Sequence, residues 1–526
     1  MDRHGKKRHI AEQKKKRIIV FDFYSKMMIK TIKGLQARGV EIVYWADGKR
    51  EFMDEVSGRR DLFPNTIFHS ADDAIAGVPA REIDISMFEP LGSDFIKQFL
   101  ECELRSLVMM DTIDLTAVTL MKKIHLYNEY LKYWYGVFQT LKPDAIVFYD
   151  APHMAYKHVA HCVAKHLNIR QIILRNTQIG GRLLLVDDTV DFKKIRAKIE
   201  DHKGKDFTLD DLNLDVRDYY EKQQRIDRYP FYVRTDNIKK RTYRMSRFLP
   251  SGDVIKKNLR NLTFLKTTYL YARMLLMKRS MPSIEPFKRF VWAIKLQEKR
   301  WQATRDGFKR EYAEHQTQPD YSKKYIYVTL HNQPEASTSS DGDVFVDQIL
   351  MIDTLSYVLP DDWVIYVKES PLQWYYPRTH KGRFKGYTEE IVRKKNVYVV
   401  PTETSTFDLI KNSQAVAAVT GSAVWEAVLR GKPGMVFGYT WYMYCDGVLR
   451  VKDFESCKDA IQKIQGGFIP DQQKIINFLK VFDEVSIRGY RDYRFRDGAD
   501  LNKTFVKDDE ENAKNISAAL YQELSV

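Results

Sequence analysis

The run Thr420-Gly421-Ser422-Ala423-Val424-Trp425-Glu426-Ala427, followed by Gly431-Lys432-Pro433, has the residue types and spacing best suited to chemistry. A strand-like stretch, AVAAVT (415–420), ends at its first residue. Gly421 permits a sharp turn and lets an anion approach the backbone. A small hydroxyl residue then opens a helix, whose unpaired N–H groups and dipole attract phosphate. Ser422 can cap that helix and touch the same phosphate. Glu426, one turn on and on the same face, can accept hydrogen bonds from a ribose diol. Gly431 ends the helix. A capped strand–turn–helix with no ligand would share the outline, but the full spacing favours a nucleotide.

Other candidates also sit where strands end. His331 follows YIYVTL (325–330) and shares its loop with Gln333, Glu335 and Ser337. It can bind a phosphate oxygen, protonate a leaving group, or pack a turn. Asp150 and His153 follow DAIVFYD (144–150). Either can take a proton from an acceptor hydroxyl, and Asp150 is equally suited to cap the helix near Pro152. Asp22, ending RIIVFDF (17–23), is a second carboxylate in the equivalent place. Tyr439, Trp441, Tyr442 and Tyr444 can stack on a base or sugar, or pack in the core. Asp187-Asp188 invites a metal, but nothing around the pair has ligand spacing, so no metal and no cofactor are expected.

The elements that must position these residues alternate strand and helix. RIIVFDF (17–23), EIVYWA (41–46), DAIVFYD (144–150) and QIILRN (171–176) are continuous apolar runs of the kind buried parallel strands need. Helical stretches separate them. From 190 to 320 the rhythm is lost. It returns with YIYVTL (325–330), WVIYVKE (363–369), NVYVV (396–400), AVAAVT (415–420) and GMVFG (434–438). The fold class is therefore α/β, with two Rossmann-like doubly wound domains facing a cleft. The divisions are a basic tail (1–17), an N-terminal Rossmann-like domain (18–190), a basic helical linker or insertion (191–320), a C-terminal Rossmann-like domain (321–485) and a helical tail (486–526).

The 526 residues carry 85 Lys+Arg and 70 Asp+Glu, a formal charge of +15. Residues 1–17 hold a net +6 and residues 234–310 a net +16, so the rest of the chain is acidic. In 234–310 basic residues alternate with aromatics and aliphatics, which suits either a packed helical face or an anionic membrane surface. No nucleic-acid motif accompanies the charge, so no nucleic acid is expected. Cys102, Cys162, Cys445 and Cys457 show no ligand spacing, which points to a reducing compartment. No apolar run reaches the roughly 18 residues of a bilayer span. A cytoplasmic protein, peripheral on the membrane's inner face, is expected.

The GSxxxEAxxxGKP run, His331-Asn332-Gln333-Pro334-Glu335-Ala336-Ser337-Thr338 and Tyr366-Val367-Lys368-Glu369-Ser370-Pro371 together resemble the capsular and surface-polysaccharide biosynthesis glycosyltransferases. These include enzymes that transfer Kdo from a CMP donor. Lys142-Pro143-Asp144, Pro152-His153 and Gly181-Arg182 extend the likeness to roughly a third of the chain. The resemblance implies a metal-independent GT-B glycosyltransferase. It would use a nucleotide-sugar donor, CMP-Kdo-like sugars among them, and a glycan or lipid-linked acceptor. The donor would lie against Lys368, Ser370, Thr420, Gly421, Ser422 and Glu426, with Asp150, His153 and His331 as catalytic groups. Ser370 stands where the family has a His and cannot hold a positive charge. Lys368 lies on the same sheet face if the strand continues, and can supply one. A sugar-nucleotide epimerase and a non-catalytic capsule assembly or export partner are the alternatives.

Overall fold

The computed structural model describes residues 15–46, 53, 56–113, 119–225, 286–333, 336–375, 379–491 and 506–525. Glu335, the basic tail up to residue 14, and residues 234–285 of the basic stretch lie outside the described residues. So does most of the expected membrane-facing surface.

Two sheets organise the chain. The first has the order β13-β6-β5-β4-β1-β2-β3, with β1 Lys16–Phe21, β2 Val40–Ala46, β3 Ile67–His69, β4 Ala145–Phe148, β5 Arg170–Asn176, β6 Arg182–Val186 and β13 Ile487–Arg488. Strands β1 to β5 run parallel, while β6 and β13 are antiparallel additions. The second sheet is wholly parallel. Its order is β12-β11-β10-β7-β8-β9, with β7 Lys324–Thr329, β8 Trp363–Lys368, β9 Val397–Val400, β10 Ala415–Ala418, β11 Gly434–Val436 and β12 Val448–Arg450. The chain is thus α/β with two Rossmann-like domains.

Burial explains the strands. Ile18, Ile19, Val20 and Phe21 are all fully buried, as are Ile365 and Val367. Helices cover both sheet faces, so these strands alternate no polar residues. Phe21 stacks on Phe148 at 4.7 Å and meets Trp134 at 5.1 Å, tying β1 and β4 to helix Leu120–Leu141. Strands β3, β6, β12 and β13 were not anticipated from sequence. All but β6 are two or three residues long, too short for a periodic signal.

Numbered in chain order, the second sheet reads 3-2-1-4-5-6, and the first reads the same with β13 added as a seventh strand beyond β6. In each, the order reverses between the first and fourth strands. The carboxyl ends of these two strands open a crevice where such sheets take ligands. The crevice lies between β1 and β4 in the first domain and between β7 and β10 in the second.

The C-terminal tail returns to the first domain. Helix Gln472–Val485 packs on helix Lys193–Asp201, and β13 pairs with β6. Helix Asp509–Ser525 then lies against helix Lys26–Gln36. Arg182 fixes the return by holding Asp215 at 2.6 Å and Asp483 at 2.9 Å, all three buried. Among the described residues no helix is long and apolar enough to cross a membrane.

Candidate functional site

The crevice of the second domain is built from two strand ends. His331 stands just past β7 and Thr420 just past β10. The Thr420 backbone N–H donates to His331 Nε2 at 3.1 Å, joining the two. An N–H can only donate, so Nε2 carries a lone pair, and a neutral His331 holds its proton on Nδ1. Gln348 fixes the backbone of His331 from both sides, accepting from its N–H at 2.6 Å and donating to its carbonyl at 3.1 Å. Arg383 donates to the same carbonyl at 3.0 Å. That guanidinium is itself held by Glu369, at 2.8 and 2.9 Å, with both side chains 2% exposed.

Helix Ser422–Leu429 begins beside this pair. Its N-cap is Gly421, and no side chain caps it. The expectation that Ser422 caps the helix is corrected here. Ser422 is already inside the first turn, and its hydroxyl hydrogen-bonds the Glu426 carboxyl. A helix start without a side-chain cap leaves its first-turn N–H groups to other acceptors, and of these the Val424 N–H donates to the Gly421 carbonyl at 3.2 Å. Thr420, Gly421, Ser422 and Ala423 are each partly exposed. Gly421 closes on the crevice: a Cβ there would lie 3.0 Å from the Ala418 Cβ and 3.5 Å from the His331 ring. Glu426 is buried, and burial lifts its pKa to about 7 against the opposing pull of Arg430 and Ser422. The Thr420 hydroxyl is buried and has no hydrogen-bond partner among the described residues.

Lys368 and Ser370 do not join this group. Strand β8 ends at Lys368, so the alternation that would align the two residues stops there. The Lys368 ammonium turns toward β9 and donates to the Thr404 carbonyl at 2.5 Å and the Thr406 hydroxyl at 2.9 Å. Burial brings its pKa down to about 8. The Ser370 hydroxyl accepts from the Leu372 N–H at 3.3 Å and caps the turn Pro371–Trp374. Trp441 and Tyr442 are core residues. Tyr442 stacks on Trp425 and donates to the Gly421 carbonyl at 2.7 Å, bracing the turn from behind.

The crevice of the first domain gathers Asp22, Asp150, His153, Lys157 and Arg491. Asp22, with φ at +68°, forms a buried ion pair with Lys157. Asp150 is paired with Arg491, which the returning tail delivers. Burial works to raise the Asp150 pKa, but Arg491, His153, Lys157 and Arg175 outweigh it and keep it below the usual carboxylate value. Asp150 is not a helix cap. The helix Ala155–His166 starts later, with Met154 as N-cap. His153 Nδ1 lies 2.8 Å from the Ala151 carbonyl, which can only accept, so Nδ1 holds the proton and Nε2 the lone pair. Burial holds the His153 pKa below its ordinary value, although Asp150, 3.6 Å from Nδ1, pulls it up. Asp187 and Asp188 hold Lys193 at 3.0 Å and Lys165 at 2.6 Å.

The two carboxyl edges meet. Arg175, at the end of β5, donates to Asp341 of helix Ala336–Asp341, and Arg105 reaches Asp343 at 3.0 Å. Trp441 Nε1 donates to Gln178 at 2.6 Å. Sequence reasoning missed Arg105, Lys157, Arg175, Arg383 and Arg491.

No family model matches the chain, and no curated protein does. Among solved structures it is similar to Thermosulfurimonas dismutans KpsC, a beta Kdo 2,7 transferase. That match has 9% identity and a TM-score of 0.30, and covers 96% of this chain and 100% of that one. The UDP-GlcNAc 2-epimerase from Neisseria meningitidis bound to UDP-GlcNAc has 10% identity and a TM-score of 0.24, over 97% and 99%. The glycotransferase of kitacinnamycin has 10% identity and a TM-score of 0.22, over 97% and 100%. Likeness at this level fixes neither a reaction nor a substrate.

Proposed function

We propose that the protein is a glycosyltransferase that moves a sugar from a nucleotide-sugar to a glycan or lipid-linked acceptor. The reading rests on one observation. The helix start at Ser422, lacking a side-chain cap, lies at the second domain's switch point beside His331.

In this reading the second domain binds the donor. First-turn N–H groups and the helix dipole meet the phosphate, and Glu426 meets the ribose. The developing charge on the leaving nucleotide is met by backbone donors, so the site needs no histidine at position 370. The first domain handles the acceptor. His153 is neutral at physiological pH because its pKa is depressed, so Nε2 can take the acceptor hydroxyl's proton. The imidazolium formed is stabilised by Asp150, whose charge Arg491 maintains. His331 orients the turn through Thr420.

Thermal stabilisation by CMP, UDP and GDP tests the donor half. A nucleotide at about 100 times its Kd should add roughly 2.7 kcal/mol. No shift with any nucleotide would remove the donor site, and with it the transferase. The non-catalytic alternative draws on Ser370, whose hydroxyl serves a turn. It predicts binding without turnover over any acceptor. Conversion of the nucleotide-sugar with no acceptor present, followed by NMR, would select the epimerase.

A further inference from the structure

Helices Leu100–Ile113 and Ala155–His166 pack together in the first domain's core, and they bring three soft or borderline ligands into one place. Cys102 comes from the first helix. His158 and Cys162, four residues apart, come from one face of the second. Cys102 is 6% exposed and His158 4% exposed. A ligand atom from each lies within 4.8 Å of the other two. Cys162 Sγ is 3.6 Å from His158 Nε2. A metal bound to sulfur at about 2.3 Å and to nitrogen at about 2.0–2.1 Å, at a tetrahedral angle, would hold them about 3.6 Å apart.

The surroundings fit such an ion. The second imidazole nitrogen, Nδ1, is buried with no hydrogen-bond partner among the described residues, while Nε2 is turned to the Cys162 sulfur. A divalent ion that displaces both thiol protons to solvent leaves two thiolates, one neutral imidazole and no net charge, which a dry core tolerates.

We propose that Cys102, His158 and Cys162 bind a soft, thiophilic d10 cation of the zinc class that staples these two helices. The staple has a mechanical consequence. The first helix carries Arg105, which crosses to Asp343 and to the Ser340 carbonyl. The second carries Lys157, the partner of Asp22, and follows the loop holding His153. The ion would couple the domain tether to the acceptor crevice.

The test uses the full chain, purified under reducing conditions and refilled with Zn2+ or Co2+. One equivalent of metal per chain is expected, with thiolate-to-cobalt charge-transfer absorption and a lower melting temperature after chelation. Cys102→Ser and Cys162→Ser should lose the band and the stoichiometry, whereas Cys445→Ser, remote in sequence and outside the cluster, should keep both. If the cluster variants fail to fold, the cobalt spectrum of the parent chain decides. Absence of the charge-transfer band there, or metal retained equally in folded Cys102→Ser protein, overturns the site. A Cys102–Cys162 disulfide formed with peroxide in a chain that takes up no metal would also overturn it.

Discussion

The two crevices share a strand order and differ in their electrostatics. In the second domain the β7–β10 crevice is lined by backbone: a helix start with no side-chain cap, a glycine turn, and one histidine nitrogen occupied by an N–H. In the first domain the β1–β4 crevice is crowded with charges already matched, Asp22 with Lys157 and Asp150 with Arg491. Fixed backbone donors suit a ligand that brings its own negative charge. Matched charges around a neutral imidazole suit a neutral hydroxyl that must lose a proton. One topology therefore supports two tasks, because strand order sets where a ligand lies and loop residues set which ligand it is.

The largest effect that would separate the crevices is on turnover. His153→Ala should lower the transfer rate by about 10²–10⁴-fold while nucleotide affinity in calorimetry stays unchanged. Equal losses in both would place His153 with the donor and dissolve the division of labour. Next is the brace behind His331. Arg383→Ala strands the buried Glu369 carboxylate and should cost about 3–5 kcal/mol in denaturant unfolding. Replacing both partners with apolar residues of similar volume should recover most of that. A near-neutral single variant would mean that the ion pair does not hold the loop.

Glu426 gives a smaller effect with a defined sign. Its pKa is raised to about 7 in the folded chain, so between about pH 4.5 and 7 the unfolded state ionises while the folded state keeps its proton. Stability therefore falls as pH rises through that window, by roughly 3 kcal/mol in all, and the penalty persists above it. Glu426→Gln should flatten this decline and be more stable than the parent at pH 8. Its nucleotide affinity should nonetheless drop, because an amide accepts from a diol less well than a carboxylate. A parallel decline in both proteins, read from melting temperature against pH, would assign it to other groups.

What the sequence could reveal follows from range. Buried parallel strands are apolar runs, so Ile18–Phe21 and Val364–Val367 stand out locally. Thr406–Asn412 is legible from its start at Ser405, whose hydroxyl accepts from Asp408 N–H. The turn from Gly421 to Glu426 is likewise written in neighbouring residues. The first-domain crevice is not. Lys157 and Asp22 are 135 residues apart, and Arg491 and Asp150 are 341 apart. Arg491 arrives only because the tail crosses back and adds β13. The expected alignment of Lys368 with Ser370 fails for a related reason. A strand's alternation predicts facing only while the strand lasts, and β8 ends at Lys368, two residues short of Ser370.

The smallest effect concerns Thr420, and its sign carries the information. Its backbone N–H is taken by His331 and its hydroxyl is buried without a partner among the described residues. An unsatisfied buried hydroxyl costs about 1–3 kcal/mol. Thr420→Val keeps the shape and removes that group, so the nucleotide-free protein should melt at an equal or slightly higher temperature. A hydroxyl serving only the fold would give the opposite sign. If affinity for the nucleotide also falls, the hydroxyl is a ligand group reached when the crevice opens. Unchanged affinity leaves the first-turn N–H groups of Ser422–Leu429 to hold the phosphate. A lower melting temperature would show that Thr420 makes a bond in solution, and the crevice would then be less ready for a ligand than its backbone suggests.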